Sequence, residues 1–228
     1  MYTDKVLTER LYPKVLLDLA HHIEQPYLPE LVQRYIWEED NPGSDIPSAS
    51  VPAQDLPLIC GKVKVYHSAV ACYYAPSDSC GVGGMYRQRI RSNPNWRKQY
   101  ARHDTVLIGT DGDESGMRGM TVGRVHLLFS FQRGGRLHSC ALIRWFVRAI
   151  NEPDENTGLW VVRPVSEGNG RPSMAVVNLD SFARGVHLIP VYGNSTIAET
   201  FQFPDSLDAF QAYYVNKYAD HHSHSFII

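Results

Sequence analysis

The sequence predicts an α+β fold in which a small antiparallel β-barrel or rolled sheet is flanked by N-terminal and C-terminal helices. Apolar residues recur at helical spacing near both ends of the 228-residue chain. Between them, short runs alternate polar and apolar residues, as half-buried strands do. Turns rich in glycine, proline and asparagine separate these runs, which is typical of a small barrel.

The N-terminal segment, residues 1–40, is predicted to be helical from about Lys5. Leu7, Leu11 and Val15 recur every four residues, and the apolar stripe continues to Ile23. Prolines 26 and 29 are typical of a break between two helices. Residues 41–58 are rich in proline and serine and are predicted to form a linker.

Residues 59–228 are predicted to form a β-rich domain with a C-terminal helix. Alternation predicts strands near 62–66, 104–109, 121–131, 137–147, 158–163, 173–178 and 185–192. The Gly134–Gly135 pair is predicted to turn the longest hairpin. The final helix is expected to begin near Asp205 or Ser206, with an apolar stripe at 207, 210, 214 and 218.

Composition excludes several classes of protein. The net charge of −2 excludes a chain that is basic throughout, so a nucleic-acid contact must be local. The four cysteines form no C-x-x-C pair, and no secretory signal pattern is present, which favours a reducing compartment. We expect the nucleus, with the cytoplasm as the alternative. No apolar run approaches the length of a membrane span, so no membrane partner is expected.

The strongest charge feature runs from Met85 to His103, where no acidic residue occurs and aromatic residues are interleaved. Arginine forks bind phosphates, and aromatic faces stack on bases or sugars. The predicted nucleic-acid-binding residues are therefore Arg87, Arg89, Arg91, Arg97, Lys98, Arg102 and Trp96. The alternative is a solvated basic loop with Trp96 packed on the body of the protein.

Aromatic residues on or beside the predicted strands suggest a second kind of site. Trp145, Trp160 and Tyr192 are the predicted peptide-binding residues, because an open aromatic cage attracts a methylated lysine through cation–π contact. The alternative is that these rings are part of a buried core, which is usual for aromatic residues in strands.

No catalytic residue, metal site or cofactor is expected. His221, His222 and His224, with Asp220 adjacent, form only a weak zinc pattern, so metal binding by them is left open, and the cysteines at 60, 72 and 80 lack a close pair. The glycines at 81, 83 and 84 fit neither a P-loop nor a dinucleotide fingerprint. Asp111, Asp113 and Glu114 are predicted to form a solvated acidic turn.

Several motifs occur in an order that resembles the carboxy-terminal region of Plavaka-type transposon proteins of mushroom-forming fungi, of the Kyakuja–Dileera–Zisupton class. They are Gly81-Val-Gly-Gly-Met, Thr157-Gly-Leu-Trp-Val-Val-Arg-Pro, His187-Leu-Ile-Pro-Val-Tyr-Gly and Tyr213-Tyr-Val-Asn-Lys-Tyr-Ala-Asp-His-His-Ser-His. The resemblance covers most of the chain from about Leu16. It implies that the catalytic domain of such proteins lies upstream, so that no catalytic residue is carried over.

A second resemblance concerns residues 100–192. Asp104-Thr-Val-Leu-Ile, Val122-Gly-Arg-Val and Ile143-Arg-Trp-Phe-Val-Arg are similar to segments of bromo-adjacent homology domains, which are chromatin-associated β-barrels. Fold analogy alone does not establish function.

Together these observations predict a non-catalytic accessory module, derived from a transposon-encoded protein, that binds DNA or chromatin through a histone tail, a chromatin protein or the DNA itself. The alternative is a protein-interaction module that reads a peptide through an aromatic pocket without touching nucleic acid. The oligomeric state is left open.

Overall fold

The computed structural model of the chain describes residues 9, 11–59, 61–76, 82–110, 112–193, 196 and 199–227. Four residues named above, Cys60, Cys80, Gly81 and Asp111, lie outside this part of the chain, as does the predicted helical stretch before residue 9.

The predicted fold class is confirmed: the protein is α+β, with a nearly closed antiparallel barrel of seven strands and helices towards both termini. The strands are β1 (Val63–Tyr66), β2 (Ser68–Tyr74), β3 (Met85–Trp96), β4 (Tyr100–His103), β5 (Thr105–Gly109), β6 (Met120–Arg133), β7 (Arg136–Arg148), β8 (Val161–Pro164), β9 (Met174–Asn178), β10 (Phe182–Val186), β11 (Leu188–Pro190) and β12 (Tyr213–Val215). The helices are α1 (Leu16–His22), α2 (Leu28–Asp40), α3 (Ser206–Ala209) and α4 (His221–Ile227).

The barrel follows the strand order β10-β5-β6-β7-β8-β12-β11. Its two end strands, β10 and β11, are consecutive in the chain and are separated by His187 alone. This short connection brings the ends of the path together, so the barrel nearly closes. A smaller sheet, β2-β3-β4, lies off this path.

The β6–β7 hairpin is the longest element and joins the rest of the barrel. Gly134 and Gly135 turn it with φ values of 57° and 79°, as the sequence predicts. On its outer edges β6 pairs with β5 and then with β1, whereas β7 pairs with β8 and β9.

A β-bulge interrupts β6 at His126. Val125 pairs with Ile143 and Leu127 pairs with Leu142, so His126 is the extra residue that faces no partner in β7. Before the bulge β6 pairs with β5, and after it β6 pairs with β1. At the bulge, β6 therefore changes its neighbouring strand from β5 to β1.

The N-terminal helices pack on the barrel, as their apolar stripes predict. Leu19, Val32 and Ile36 share one core cluster with Phe129 of β6 and Leu142 of β7. The same contacts bury one face of the central hairpin and so stabilise it.

The predicted first helix starts too early, because α1 begins only at Leu16. The segment before it runs beside β1, where the backbone N–H of Val63 donates to the Lys14 carbonyl at 2.8 Å. Leu11, placed on the helical stripe, is 89% exposed. Backbone pairing with a strand therefore replaces the helix that the spacing predicts here.

The predicted C-terminal helix is also wrong over most of its length. Only Ser206–Ala209 is helical there, and the chain then forms β12, which pairs with β8 and β11. Tyr213 and Val215 are buried in the core cluster that includes Phe146. The spacing of the aromatic residues also fits a helix, but a strand forms because it buries Tyr213 and Val215 in the core.

The predicted strand at 185–192 is divided into β10 and β11, while the other strands named above lie close to their predicted places. Within the described residues, no helix has the length and apolar character needed to cross a membrane.

We predict that the protein loses stability on mild acidification because of His126. Burial, with His103 and Arg124 nearby, lowers the pKa of its imidazole to about 3. An unfolded histidine titrates near pH ~6.5, so below that pH the unfolded chain binds a proton that the folded chain excludes. The free energy of unfolding then falls by up to about 1.4 kcal/mol per pH unit as the pH decreases.

Urea unfolding at a series of pH values from roughly 7 down to 5 measures this slope. This range includes the usual pKa of histidine. His126→Gln should reduce the slope without abolishing it, because burial also lowers the pKa of His103 and of His138. His221→Gln, which changes an exposed histidine, should leave the slope unchanged. Equal slopes in the wild type and in His126→Gln would contradict the prediction.

Candidate nucleic-acid interface

The basic segment from Met85 to His103 forms two strands, β3 and β4, and is not the solvated loop of the alternative interpretation. β3 pairs with β2 from Met85 to Arg91 and with β4 from Ser92 onward. We call residues 85–103 the basic hairpin. Its pairing with β2 is regular and fixes the direction of the side chains from Met85 to Arg91, whereas the register with β4 shifts between Asn93 and Trp96.

The period of two in β3 separates an inner face from an outer one. Ile90 is 1% exposed and packs in the barrel core. The side-chain oxygen of Gln88 accepts a hydrogen bond from the Gly185 backbone at 2.7 Å. Ser92 is buried as well. Because these alternate residues point inward, the arginines between them point outward.

The outer face of the hairpin therefore gathers most of the predicted phosphate ligands. Arg87, Arg89 and Arg91 occupy alternate positions of β3, and Arg102 belongs to the same face because it pairs across with Asn93. The structure thus brings together four of the residues that the sequence predicts to bind nucleic acid.

Trp96 lies at the centre of a group of three arginines. The guanidinium carbons of Arg91, Arg102 and Arg97 lie 4.9, 5.2 and 5.7 Å from the centroid of its ring. These distances are within the range of cation–π attraction. The ring is half-buried, and the three guanidinium groups lie around it.

Arg97 and Lys98 form the tip of the hairpin. Both have a positive φ, 54° and 61°, and the backbone N–H of Gln99 donates to the Trp96 carbonyl at 3.1 Å. A turn with a positive φ at both central residues normally carries asparagine and glycine, because other side chains are strained there. The chain instead places two exposed cations at this strained position.

Acidic groups balance only part of this charge. Asp104 accepts from the Arg102 Nε at 2.8 Å and from the Arg91 backbone at 2.9 Å. Among the described residues, Arg89, Arg97 and Lys98 have no carboxylate partner within ion-pair distance. Partial burial, followed by repulsion from Arg102, lowers the pKa of Arg91. The hairpin therefore carries a crowded excess of positive charge.

A groove of about 570 Å³ runs beside the hairpin. Four arginines of its outer face line this groove, together with Arg184 of β10 and Asp220. Arg184 is 1% exposed, bonded to Asp220 and near the Tyr73 ring, so it is a structural ion pair in the wall of the groove. Sequence reasoning missed Arg184 because no local pattern reveals the burial of a single arginine in a strand.

The predicted peptide-binding rings are not brought together. Trp145 packs partly buried against one core cluster. Trp160 belongs to another cluster, is 4% exposed and donates its indole N–H to the Ile227 carbonyl at 3.1 Å. Only Tyr192 is open to solvent, at 63% exposure. The prediction that these three residues form a cage is therefore wrong, since Trp160 is buried and cannot contact a peptide.

Tyr192 instead lines a different aromatic pocket. Its ring meets Phe210 edge-on at 5.1 Å, and Phe201 meets the same Phe210 ring at 5.8 Å. The pocket has a volume of about 760 Å³ and also contains Asp205 and Arg163. No sequence signal predicts it, because Phe201 and Phe210 come from a segment whose pattern indicates loop and helix.

A second ion-pair cluster fixes α3 to the barrel. Arg124 of β6 and Arg144 of β7 each donate to one oxygen of Asp208, at 2.7 and 2.8 Å. These cations lower the pKa of Asp208 against the opposing effect of its burial. The cluster holds the segment that leads from the aromatic pocket back into β12.

The terminal histidines do not converge on a metal site in the part of the chain that the structure describes. His222 lies against Arg184, with its Nδ1 2.7 Å from the guanidinium, and His224 lies beside Tyr218. No group of three or more described histidine, cysteine or acidic side chains is placed to hold a metal ion.

Comparison with known proteins adds no family. Neither the models of known protein families nor the curated proteins match this chain. The resemblances to Plavaka-type transposon proteins and to bromo-adjacent homology domains therefore stay predictions.

We predict that backbone strain at the tip of the hairpin lowers the stability of the protein. Replacing Arg97 by asparagine and Lys98 by glycine in one variant should raise the free energy of unfolding by about 1 kcal/mol, because both new residues suit a positive φ. Thermal unfolding measures this gain. The control Arg97→Ala/Lys98→Ala removes the same charges but keeps the strain, so an equal gain in both variants would contradict the prediction.

Proposed function

We propose that this protein is a non-catalytic accessory module that binds DNA through the phosphate contacts of its basic hairpin. The observation that carries the proposal is the outward face of β3 and β4, which gathers Arg87, Arg89, Arg91 and Arg102 beside the two cations of the tip. Forked arginines are suited to phosphate oxygens.

The spacing of these charges favours a polymeric anion over a small one. Alternate residues of a strand lie about 6.6 Å apart, so the three arginines of β3 extend over roughly 13 Å. A single small anion cannot reach all of them, whereas successive phosphates of a nucleic acid can. Burial and then repulsion from Arg102 lower the pKa of Arg91, and neutralisation by phosphates would relieve the repulsion.

The resemblance to transposon proteins agrees with this proposal, since such proteins act on DNA. We accordingly propose a nuclear protein whose partner is DNA or chromatin, bound without readout of the bases. A barrel that carries the basic hairpin on its side also agrees with the likeness to chromatin-associated β-barrels, although the likeness itself specifies no ligand.

We predict that removing three exposed charges of the hairpin weakens DNA binding through its electrostatic component. The triple variant Arg89→Gln/Arg97→Gln/Lys98→Gln should reduce the slope of log affinity against log salt by up to about 3, roughly 0.9 for each phosphate that is no longer neutralised. Fluorescence anisotropy with a labelled duplex over a series of salt concentrations measures the slope.

The matched control is Lys14→Gln/Lys62→Gln/Lys64→Gln, which removes the same net charge from exposed lysines outside the hairpin. This variant should retain the wild-type slope within about 1. If both triple variants reduce the slope equally, the attraction comes from net charge alone and the hairpin is not the site.

The aromatic pocket supports a second candidate function, the reading of a peptide without nucleic acid. Tyr192, Phe201 and Phe210 present ring faces and edges to one open cavity that also holds the Asp205 carboxylate. Aromatic rings beside a carboxylate attract a cationic side chain such as a methylated lysine.

For this candidate we predict binding to at least one methylated peptide on a histone-peptide array. Tyr192→Ala should lower that binding about fivefold, since a cation–π contact contributes on the order of 1 kcal/mol. Tyr218→Ala removes an equally exposed ring outside the pocket, at 63% exposure in both cases, and should have no effect. An array without hits would reject the candidate.

A further inference from the structure

We infer that the basic hairpin selects double-stranded over single-stranded DNA, and that Trp96 is a positioning residue for its arginines instead of a platform for bases. This inference rests on the proposed function and specifies the form of nucleic acid that the same surface takes. It reverses the role that the sequence suggests for Trp96.

Proteins that bind single strands gain much of their affinity by stacking bases on open aromatic faces. Trp96 offers no such face, because three guanidinium groups lie within 6 Å of its ring centroid. The ring is also half-buried. A base could stack there only after displacing a cation that the ring itself attracts.

Contact with the Trp96 ring occupies few of the N–H donors of these arginines. Arg102 uses its Nε on Asp104. The guanidinium groups of Arg91 and Arg97 donate no hydrogen bond to a described side chain. A guanidinium attracted to the ring through its cationic centre keeps its N–H groups, and a phosphate can accept two of them.

The shape of the hairpin also fits a duplex. Beyond Arg91, where pairing with β2 ends, β3 and β4 continue as a two-stranded ribbon that closes at Arg97 and Lys98. A two-stranded ribbon fits the major groove of B-DNA, which is about 12 Å wide. Arg102 on the outer face of this ribbon and the two cations at its tip then meet phosphates of the groove walls, while Arg87, Arg89 and Arg91 continue the same face along the part of β3 that pairs with β2.

Charge density adds to this preference. A duplex carries one negative charge per ~1.7 Å of its axis, more than a single strand does, and the expected salt slope per phosphate is larger for the duplex. Since the hairpin gains nothing from stacking, the difference in charge density decides which form binds more tightly. The contacts are to the backbone, so we expect little dependence on base sequence.

The test compares a labelled duplex with each of its single strands by fluorescence anisotropy at matched salt, using the wild type, Trp96→Ala, Trp96→Phe and the control Trp145→Phe. We expect the wild type to bind the duplex at least about tenfold more tightly than either strand, as the absence of stacking and the higher charge density imply. Trp96→Ala should weaken duplex binding about tenfold and lower its salt slope, although every charge is retained.

Trp96→Phe keeps an aromatic face and should restore most of the affinity and of the salt slope, which a general loss of folding would not allow. Trp145→Phe changes another half-buried tryptophan and should leave both unchanged. Thermal unfolding of each variant checks that it is folded.

Equal or tighter binding of the single strands would overturn the inference while leaving the proposed function standing. A selective loss of single-strand binding in Trp96→Ala would overturn it as well, since that result identifies Trp96 as a stacking platform. If neither form of DNA binds, the proposed function and the inference are both rejected.

Discussion

One extra residue in β6 connects the barrel to its basic hairpin. Val125 is the last paired residue before the bulge at His126, and its backbone N–H donates to the Asp104 carbonyl at 3.0 Å. The Val125 carbonyl in turn accepts from His103, whose Nδ1 lies 3.0 Å away. His103 also stacks on the His126 ring. These contacts hold the end of β4 against the barrel, and the direction of the hairpin depends on them.

The attachment of the hairpin is reinforced from its inner face. Ile90 joins the core cluster that includes Val106 and Val125, and Gln88 reaches the backbone of β10. A strand fixed on its inner face by apolar burial has no freedom to rotate its outer face. The arginines are thereby ordered by residues that never meet a ligand, and Trp96 orders the guanidinium groups above them.

Much of the barrel follows from local patterns. The alternation in 121–131 and 137–147, joined by Gly134 and Gly135, predicts the central hairpin because strand period and turn chemistry agree there. The charge of the 85–103 segment is also evident from the sequence. Its strand structure is not evident, because the inward-facing residues Gln88, Ile90 and Ser92 include only one apolar side chain. The alternation of polar and apolar residues that predicts a strand is therefore missing.

The remaining errors have physical causes that a local pattern cannot reveal. Tyr213 and Val215 form a strand because β8 and β11, far away in the sequence, offer edges to pair with. Arg184 is buried because Asp220, 36 residues later, compensates its charge. The predicted aromatic cage is wrong for a related reason: Trp160 finds a partner for its indole N–H in the last turn of α4. All three depend on tertiary contacts.

The outer face of β3 and β4 is proposed to meet the phosphates of a DNA duplex. The most direct measurement follows the side-chain Nε–Hε signals of the arginines by NMR while duplex DNA is added. The account predicts shifts for Arg89, Arg91 and Arg97, with no change for Arg124 and Arg144, whose guanidinium groups are bonded to Asp208. Unchanged hairpin signals at a DNA concentration that saturates binding would contradict it.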